Sequence, residues 1–389
     1  MTKAKQPSWM SDIDQLRRYL HQYPELSGEE RETATFLANS LRKLQPSQLI
    51  EGIGGYGMVA IFDSGQPGPS VLFRTELDAL PIEEVNDFDY RSTKENVSHK
   101  CGHDGHMAVM IGFARTLSYT PPEKGRALLL FQPAEEIGAG ADWMLKDETF
   151  ESVLPIDYAV AFHNLPGFPL GSIVCKEGTF SSAVQSLIIR LNGKTAHAGE
   201  PENGTNPAMA ISEIIKEASI ACQPKIEEEG FAILTPVHIN MGEIAYGVSA
   251  GYGEVHLTIR TRTGKEMEGL SNRLLTYAGR LSQKYGLELD TEWTNVFPTT
   301  QNNPEVTRII KQAAEDNNLE YQDKDYPFKW GEDFGTFTQE YEGAMFGIGS
   351  GVDHPSLHNP DFDFPDEITP VGIDMYRRIL KIIMERETE

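Results

Sequence analysis

Apolar residues occur in two different patterns along this chain of 389 residues. Between residues 11 and 45 they lie three and four positions apart, which is typical of amphipathic helices. Within this stretch Ser27 and Glu30 have the spacing of a capping box and predict a helix that begins at Ser27. Farther along, helical stretches separate short apolar runs of strand length, namely MVAIF at 58–62, VLF at 71–73, ALLLF at 127–131 and YAVAF at 158–162. This alternation predicts an α/β sheet covered by helices on both faces.

A different pattern begins near Ser181. Across 181–294 the predicted order of elements is strand, helix, strand, strand, helix, strand, which is the order of a ferredoxin-like unit. Helical patterns return after it. We therefore predict a discontinuous domain formed by 1–180 and 295–389, into which a ferredoxin-like domain of 181–294 is inserted.

The composition narrows the choice of partners. The chain has 34 basic and 58 acidic residues, so its formal net charge is −24 at pH 7. Such a surface repels phosphate backbones and anionic lipids, which argues against nucleic acid and membranes as partners. We find no apolar run of the roughly 20 residues that a membrane helix needs and no apolar core of a signal peptide near the N-terminus. With only three cysteines, which cannot all pair, the protein is predicted to be cytoplasmic.

The candidate chemistry is concentrated in four short segments. Residues 101–106 read Cys-Gly-His-Asp-Gly-His, and thiolates and imidazoles are ligands that Zn²⁺ prefers. The other segments are Glu135–Glu136 after one apolar strand, His163 after another, and His354 with His358 in a Gly- and Pro-rich turn. The first segment lacks the second half of a zinc-finger spacing, so it indicates a catalytic site with open coordination positions. Open α/β sheets place such sites at the carboxyl ends of their strands.

The adjacent carboxylates Glu135 and Glu136 can divide the work of hydrolysis. One can bind a metal ion while the other moves a proton from water to the leaving group. The spacing alone leaves open which glutamate has which role.

Together these segments resemble the M20 metallopeptidase family, specifically its amidohydrolase branch, which includes N-acyl-amino-acid deacylases, hippurate hydrolases and auxin-conjugate hydrolases. The similarity extends almost from end to end and keeps the order of the family's motifs. The matching segments are RRYLHQYPELSGEE (17–30), LFRTELDALPIEE (72–84), HKCGHDGHMAVMIGFA (99–114), LLLFQPAEEIGAGADWML (128–145), AFHNLPGFPLG (161–171), NGKTAHAGEPENGTNP (192–207), KWGEDFGTF (329–337) and SLHNPDFDFPDE (356–367). The resemblance implies a zinc-peptidase-like catalytic domain and an inserted lid domain through which the protein forms a homodimer.

The resemblance also implies roles for individual residues. Two divalent ions (Zn²⁺, Mn²⁺, Ni²⁺ or Co²⁺) would be bound by Cys101, His103, Glu136, His163 and His358, with the thiolate of Cys101 bridging them. Glu135 would be the general acid and base. His197 would reach the active site of the partner subunit and donate a hydrogen bond to the oxyanion formed during hydrolysis.

Three further residues are expected to support the site. Arg260 is a candidate for binding a substrate carboxylate, because a guanidinium fork matches that group, although a charge at a strand edge is an alternative explanation. Asp78 and His106 would orient the metal ligands through hydrogen bonds. The chain departs from the branch at Glu76, where an Asp is usual, and this change bears on substrate range more than on catalysis. No functional role is predicted for His21, His99, His238, His256 and His354.

We therefore expect a dinuclear metal-dependent amidohydrolase that cleaves the amide bond of an N-acyl amino acid. Two alternatives stay open: a carboxypeptidase or dipeptidase of the same family, and a non-catalytic binding protein that keeps the fold. Glu135 argues against the second alternative, because a binding protein does not need a proton shuttle beside a full set of metal ligands.

Overall fold

The computed structural model describes residues 8–386. Within that range the helices are α1 (Met10–Gln22), α2 (Arg31–Lys43), α3 (His103–Tyr119), α4 (Gly140–Lys146), α5 (Ala208–Ala221), α6 (Gly264–Tyr285), α7 (Pro304–Asp316), α8 (Gly335–Glu340) and α9 (Thr369–Arg386). The strands are β1 (Gln48–Ile53), β2 (Gly57–Asp63), β3 (Ser70–Glu76), β4 (Arg126–Gln132), β5 (Tyr158–Pro166), β6 (Ile173–Cys175), β7 (Gly178–Ser181), β8 (Ala183–Asn192), β9 (Ala196–His197), β10 (Ala232–Met241), β11 (Val248–Ser249), β12 (Tyr252–Thr261), β13 (Glu288–Phe297), β14 (Thr300–Asn302), β15 (Tyr321–Asp323) and β16 (Glu342–Gly351). None of the helices in this part of the chain combines the length and the apolar content needed to cross a bilayer.

The chain divides into two compact units and passes between them several times. The second unit consists of Ser181–Thr299 and Tyr326–Glu332, and the remaining described residues form the first unit. The sequence pattern places 295–299 and 326–332 with the first unit, and the structure differs at both segments. Strand β13 continues to Phe297 in register with β8, and the backbone N–H and hydroxyl of Ser182 both donate to Phe328 O, at 3.0 and 2.7 Å.

The first unit contains an eight-stranded mixed sheet in the order β1-β2-β4-β3-β5-β16-β6-β15. Its central strands β4, β3, β5 and β16 are parallel to one another, while β1 and β2 are antiparallel additions at one side. Every residue of β3 is buried, as expected for a parallel strand covered on both faces. Apolar side chains of α1, α2, α3, α7 and α9 join those of the sheet in one core. The predicted α/β fold with a mixed sheet flanked by helices is confirmed.

The second unit contains a four-stranded antiparallel sheet in the order β10-β12-β8-β13. Helix α5 follows β8 and helix α6 follows β12, so the chain order is strand, helix, strand, strand, helix, strand. Buried and partly exposed residues alternate along β12, and the buried set packs with α5 and α6 in a separate core. The sheet therefore has one face covered by helices within this unit and one open face.

The predicted start of the second helix was wrong. Helix α2 begins at Arg31, after Glu30, rather than at Ser27. The hydroxyl of Ser27 donates to Asp78 Oδ2 at 2.6 Å instead of accepting a hydrogen bond from a backbone N–H of the helix. The carboxylate of Glu30 accepts the N–H groups of Gly28 and Ala134 at 2.9 and 2.8 Å. Both residues of the supposed capping box thus serve contacts outside the helix.

Candidate metal centre

The predicted site residues of the first unit lie where its parallel strands end. Asp78 follows β3, Glu135 and Glu136 follow β4, His163 lies in the last part of β5, and His358 lies beyond β16. Because the carboxyl ends of parallel strands meet at one edge of a sheet, these segments converge there. The Cys101–His103 segment joins them at the beginning of α3.

Gly102 allows Cys101 and His103 to enter this cluster together. Its φ of +95° lies in the left-handed region that favours glycine. A Cβ atom at this position would also lie 2.5 Å from Asn164 Oδ1, which is too close for any side chain. The glycine therefore permits both the turn into α3 and the close approach of β5.

The ligand atoms form overlapping groups around common points. Cys101 Sγ lies 3.4 Å from His163 Nε2, and Glu136 Oε1 and Oε2 lie 3.8 and 3.7 Å from the Nε2 atoms of His103 and His358. Three groups each have their ligand atoms within 4.8 Å of one another: Cys101 with His103 and His163, Cys101 with Glu136 and His358, and His103 with Glu135 and Glu136. Groups that share members are the arrangement expected of adjacent metal positions.

Hydrogen bonds orient the two buried imidazoles toward the cluster. His103 Nδ1 donates to Asp78 O and His163 Nδ1 donates to Asn164 O, each at 2.9 Å. These bonds leave the Nε2 atoms facing the other ligands, which is the usual way in which proteins fix a metal-binding histidine. Among residues 8–386, no hydrogen-bond partner lies within reach of the buried His103 Nε2.

The electrostatics of the cluster favour a positive charge at His103. Burial opposes protonation of this ring, but the hydrogen bond to Asp78 and the carboxylates of Glu76 and Glu136 outweigh it and raise the pKa of His103 to about 10. Burial, reinforced by the nearby His106, holds the pKa of His163 well below its usual range, so that ring is neutral. Carboxylates that hold a proton on His103 would equally hold a metal cation, which competes with protons for such ligands. Thiolate, imidazole and carboxylate donors thus fit a divalent transition-metal ion.

His106 is engaged by a different set of partners. Its Nδ1 lies 2.8 Å from Glu76 Oε2 and its Nε2 lies 2.6 Å from Asn164 Oδ1. Burial would raise the pKa of Glu76, but the charge of Arg74 and the hydrogen bond to His106 hold it well below its usual range. The ionised Glu76 therefore fixes the ring of His106 from one side while Asn164, beside His163, fixes it from the other.

Two site loops contain residues other than glycine in the left-handed backbone region. Ala134 has a φ of +53° and His358 a φ of +64°. Such conformations cost roughly 1–2 kcal/mol for an L-residue, so other bonds must hold them. The N–H of Ala134 donates to Glu30 Oε1 at 2.8 Å, and the N–H of His358 donates to Lys100 O at 2.7 Å. Glu30 is a supporting residue that the sequence analysis missed.

A buried charge cluster also anchors the segment that carries His358. Arg17 of α1 donates to Asp104 at 3.0 Å, to Asp363 at 2.9 Å and to Asp366 at 2.5 Å. The ring of His21, one turn farther along α1, bridges Asp104 and Glu84 with two contacts of 2.9 Å. No local sequence signal identifies this cluster, because its members come from distant parts of the chain.

The two remaining predicted residues belong to the second unit. His197 lies exposed in β9, and its Nδ1 accepts the N–H of Gly199 at 3.0 Å. Arg260 is partly buried on β12 and donates to Lys329 O at 3.0 Å. The first unit thus brings together Cys101, His103, Glu135, Glu136, His163, His358, Asp78 and His106, whereas His197 and Arg260 are positioned by the second unit.

Residues 72–382 match the family described as Peptidase family M20/M25/M40. The chain belongs to this family. The M20 relatives include an N-acetyl-L-cysteine deacetylase of Bacillus subtilis, which is 32% identical over 352 residues that cover 89% of this chain and 82% of the relative. An N-acetyldiaminopimelate deacetylase of Lactobacillus helveticus is 30% identical over 366 residues, which cover 92% of this chain and 93% of the relative.

A solved structure agrees with this assignment. A Bacillus subtilis protein described as a dinuclear metal-binding peptidase of the M20 family superposes with a TM-score of 0.81 at 25% sequence identity. The match covers 97% of this chain and 99% of that protein. The resemblance of the sequence motifs to the M20 family is therefore confirmed.

Proposed function

We propose that this M20 protein is a metal-dependent amidohydrolase that removes the acyl group from an N-acyl amino acid. The observation that carries the proposal is the position of Glu135, whose Oε2 lies 3.9 Å from His103 Nε2 beside the other ligand atoms. Two relatives of similar length are named as deacetylases of N-acetyl amino acids. A buried carboxylate beside a complete set of ligands is what hydrolysis requires and what a binding protein does not.

In this proposal Cys101, His103, Glu136, His163 and His358 hold two divalent ions. When bound, the ions would polarise the amide carbonyl and make a water molecule acidic. Glu135, which is buried, takes a proton from water on its carboxylate and delivers it to the nitrogen of the leaving amino acid. Asp78 and His106 keep the ligands oriented through the hydrogen bonds described above. Zn²⁺, Mn²⁺, Ni²⁺ and Co²⁺ all accept such a donor set.

His197 and Arg260 complete the proposed mechanism by binding the substrate. Because the N–H of Gly199 donates to His197 Nδ1, that nitrogen is an acceptor and the proton of the neutral ring is on Nε2. The exposed Nε2–H can therefore donate to the oxyanion that forms on the acyl carbon. The guanidinium of Arg260, oriented by Lys329 O, would bind the carboxylate of the amino acid.

The proposal includes a homodimer formed through the second unit. Strand β10 lies at the edge of its sheet and exposes the apolar side chains of Val237, Ile239 and Met241. An apolar edge strand is a template for pairing with another chain. In such a dimer, His197 would act on the active site of the partner subunit.

We also place the protein in the cytoplasm, without nucleic acid or membrane as partners. Cys175 and Cys222 are free cysteines, and a reducing compartment would protect the proposed thiolate ligand at Cys101 from oxidation. The net charge of −24 disfavours anionic partners.

The test compares Glu135→Gln with Glu123→Gln, a control at an exposed position of the first unit. Both proteins are loaded with metal, and their metal content and turnover of N-acetyl amino acids are measured. Glu135→Gln should bind the same amount of metal and lose roughly 10²- to 10⁴-fold in kcat, because it removes the proton shuttle. Unchanged turnover would overturn the mechanism. Faster cleavage of dipeptides than of N-acetyl amino acids by the unmodified protein would favour the peptidase alternative.

A mixing experiment tests the role of His197. Glu135→Gln and His197→Ala proteins should each be inactive, and heterodimers formed from them should regain part of the activity, since one of their two sites is complete. Exchange of subunits is verified with a mass-tagged chain. Verified exchange without any recovery would remove the claim that His197 acts across the dimer.

A further inference from the structure

The open face of the sheet in the second unit carries two facing histidines. His238 on the edge strand β10 is directly opposite His256 on β12. Glu254 lies two residues before His256, so its side chain is on the same face of β12. The intervening Val255 is buried in the core on the other face. Strand register alone therefore brings two imidazoles and a carboxylate together.

The carboxylate of Glu254 reaches both rings at similar distances. Its Oε1 lies 3.6 Å from His238 Nε2, and its Oε2 lies 3.7 Å from His256 Nε2. The ring centroids are 4.9 Å apart, with an angle of 65° between the planes. These N···O distances exceed the roughly 2.7–3.2 Å of a hydrogen bond. His256 Nε2 is shielded from solvent and has no hydrogen-bond partner within residues 8–386.

The spacing is also close to that of ligand atoms around a metal ion. Bonds of roughly 2.0–2.2 Å from Zn²⁺ to nitrogen and oxygen, in tetrahedral geometry, separate neighbouring ligand atoms by roughly 3.4 Å. The observed 3.6 and 3.7 Å are within a few tenths of an ångström of that value. Small side-chain rotations would close the difference.

The surrounding charges also suit a cation. The hydroxyl of Tyr252 donates to Glu254 Oε2 at 2.7 Å, which lowers the pKa of Glu254 and keeps it ionised. Arg190 Nε lies 3.9 Å from the same oxygen. However, the two terminal nitrogens of Arg190 donate to Asp290 and Glu292 at 3.1 and 2.7 Å, so its charge is already balanced. The negative charge of Glu254 is therefore available to a cation.

We propose that His238, His256 and Glu254 form a further metal site, in the second unit, that binds one Zn²⁺ or a similar transition-metal ion. The ion joins the edge strand β10 to β12 next to the bulge between Pro236 and His238. It takes no part in the hydrolytic step proposed for the first unit. The site therefore adds an ion to those held by the metal centre.

The test counts the ions bound by the whole protein. The protein is stripped with a chelator and dialysed against a series of buffered free Zn²⁺ concentrations, and the zinc per chain is measured by mass spectrometry. A His238→Asn/His256→Asn variant should bind one ion fewer per chain than the unmodified protein and keep its rate of hydrolysis. Equal zinc content of the two proteins across the series would overturn the proposal.

A matched control and a second variant make this result decisive. Thr235 and Thr258 face each other on the same strands and the same face, so Thr235→Ala/Thr258→Ala should leave the zinc content unchanged. A control that also lost the ion would show an effect of strand distortion and would overturn the proposal. Glu254→Gln keeps both histidines and should weaken binding of the additional ion by at least about tenfold. If the double histidine variant does not fold, unchanged zinc affinity of Glu254→Gln rejects the site.

Discussion

The two units hold an arginine between two acidic side chains in opposite environments. In the first unit, Arg74 is buried and bonds to Glu76 and to Asp333, the latter at 2.6 Å. In the second unit, Arg190 lies on the open face of the sheet and bonds to Asp290 and Glu292 at 3.1 and 2.7 Å. The contacts are alike in chemistry, yet water reaches only the second set. We therefore expect burial, rather than the chemistry of the partners, to decide how much each set of contacts contributes to stability.

The difference follows from the cost of an unpaired charge. Removing one member of a buried set leaves the others without solvent or partner, and that penalty exceeds the value of the pair itself. Removing a member of an exposed set leaves charges that water and salt screen. Both units have an apolar core, but we expect the buried charged contacts of the first unit to matter more for its stability than the exposed contacts do for the second unit.

The largest expected effect distinguishes these two arginines. Arg74→Met should lower the free energy of unfolding by about 3–5 kcal/mol, because Glu76 and Asp333 remain buried and ionised. Arg190→Met should cause no change that can be resolved, because its partners are exposed. Urea unfolding of both variants measures the difference. Equal losses in the two variants would contradict the comparison.

A smaller effect, with a defined pH dependence, is expected at His21. Burial opposes its charged form, but Asp104 and Glu84 outweigh burial and raise the pKa of His21 to about 9. Its contribution to stability is therefore fully present below its ordinary pKa of about 6.5 and is lost as the pH rises through 9. His21→Gln should cost about 3 kcal/mol at pH 6 and progressively less up to pH 10.

The matched control for this prediction is His354→Gln. His354 Nε2 bonds to a backbone carbonyl, Asp363 O, at 2.7 Å rather than to a carboxylate. Urea unfolding of both variants at several pH values therefore separates the loss of carboxylate partners, which applies to His21→Gln, from the loss of an imidazole. A difference for His21→Gln that stays constant across these pH values would mean that the buried carboxylates do not hold a proton on that ring.

The fold was predictable because its signals are local. The apolar runs at 58–62, 71–73, 127–131 and 158–162 each lie within an observed strand of the first unit. A strand buried on both faces needs only a continuous apolar run, which a short stretch of sequence displays. The strands of the second unit have a local signal too, because their apolar and polar residues alternate.

The supports of the candidate metal centre were not predictable in this way. Glu30 bonds to Ala134, which is 104 residues away, and Arg74 bonds to Asp333 at a separation of 259 residues. Ala134 and His358 also adopt a backbone conformation that their residue types disfavour. Hydrogen bonds to distant residues hold these two backbone conformations, so no local sequence pattern predicts them.

The facing histidines of the second unit illustrate a further limit of prediction from the sequence. His238 and His256 meet because of the register between β10 and β12, which shifts at a bulge beside His238. A slip of one residue would turn one ring to the opposite face. The sequence contains both histidines, but only the register makes them neighbours.

The return of Tyr326–Glu332 to the second unit has a consequence for the order of biosynthesis. The ribosome makes β14, α7 and β15 of the first unit after β13 and before this segment. Ser182, next to the first long strand of the second unit, donates to Phe328 O and therefore waits for residues made later. Although domains generally fold as units during synthesis, the second unit lacks part of its sequence until Glu332 has been made. We therefore expect folding of the second unit to be completed late in translation, when only 333–389 of the first unit remain to be made.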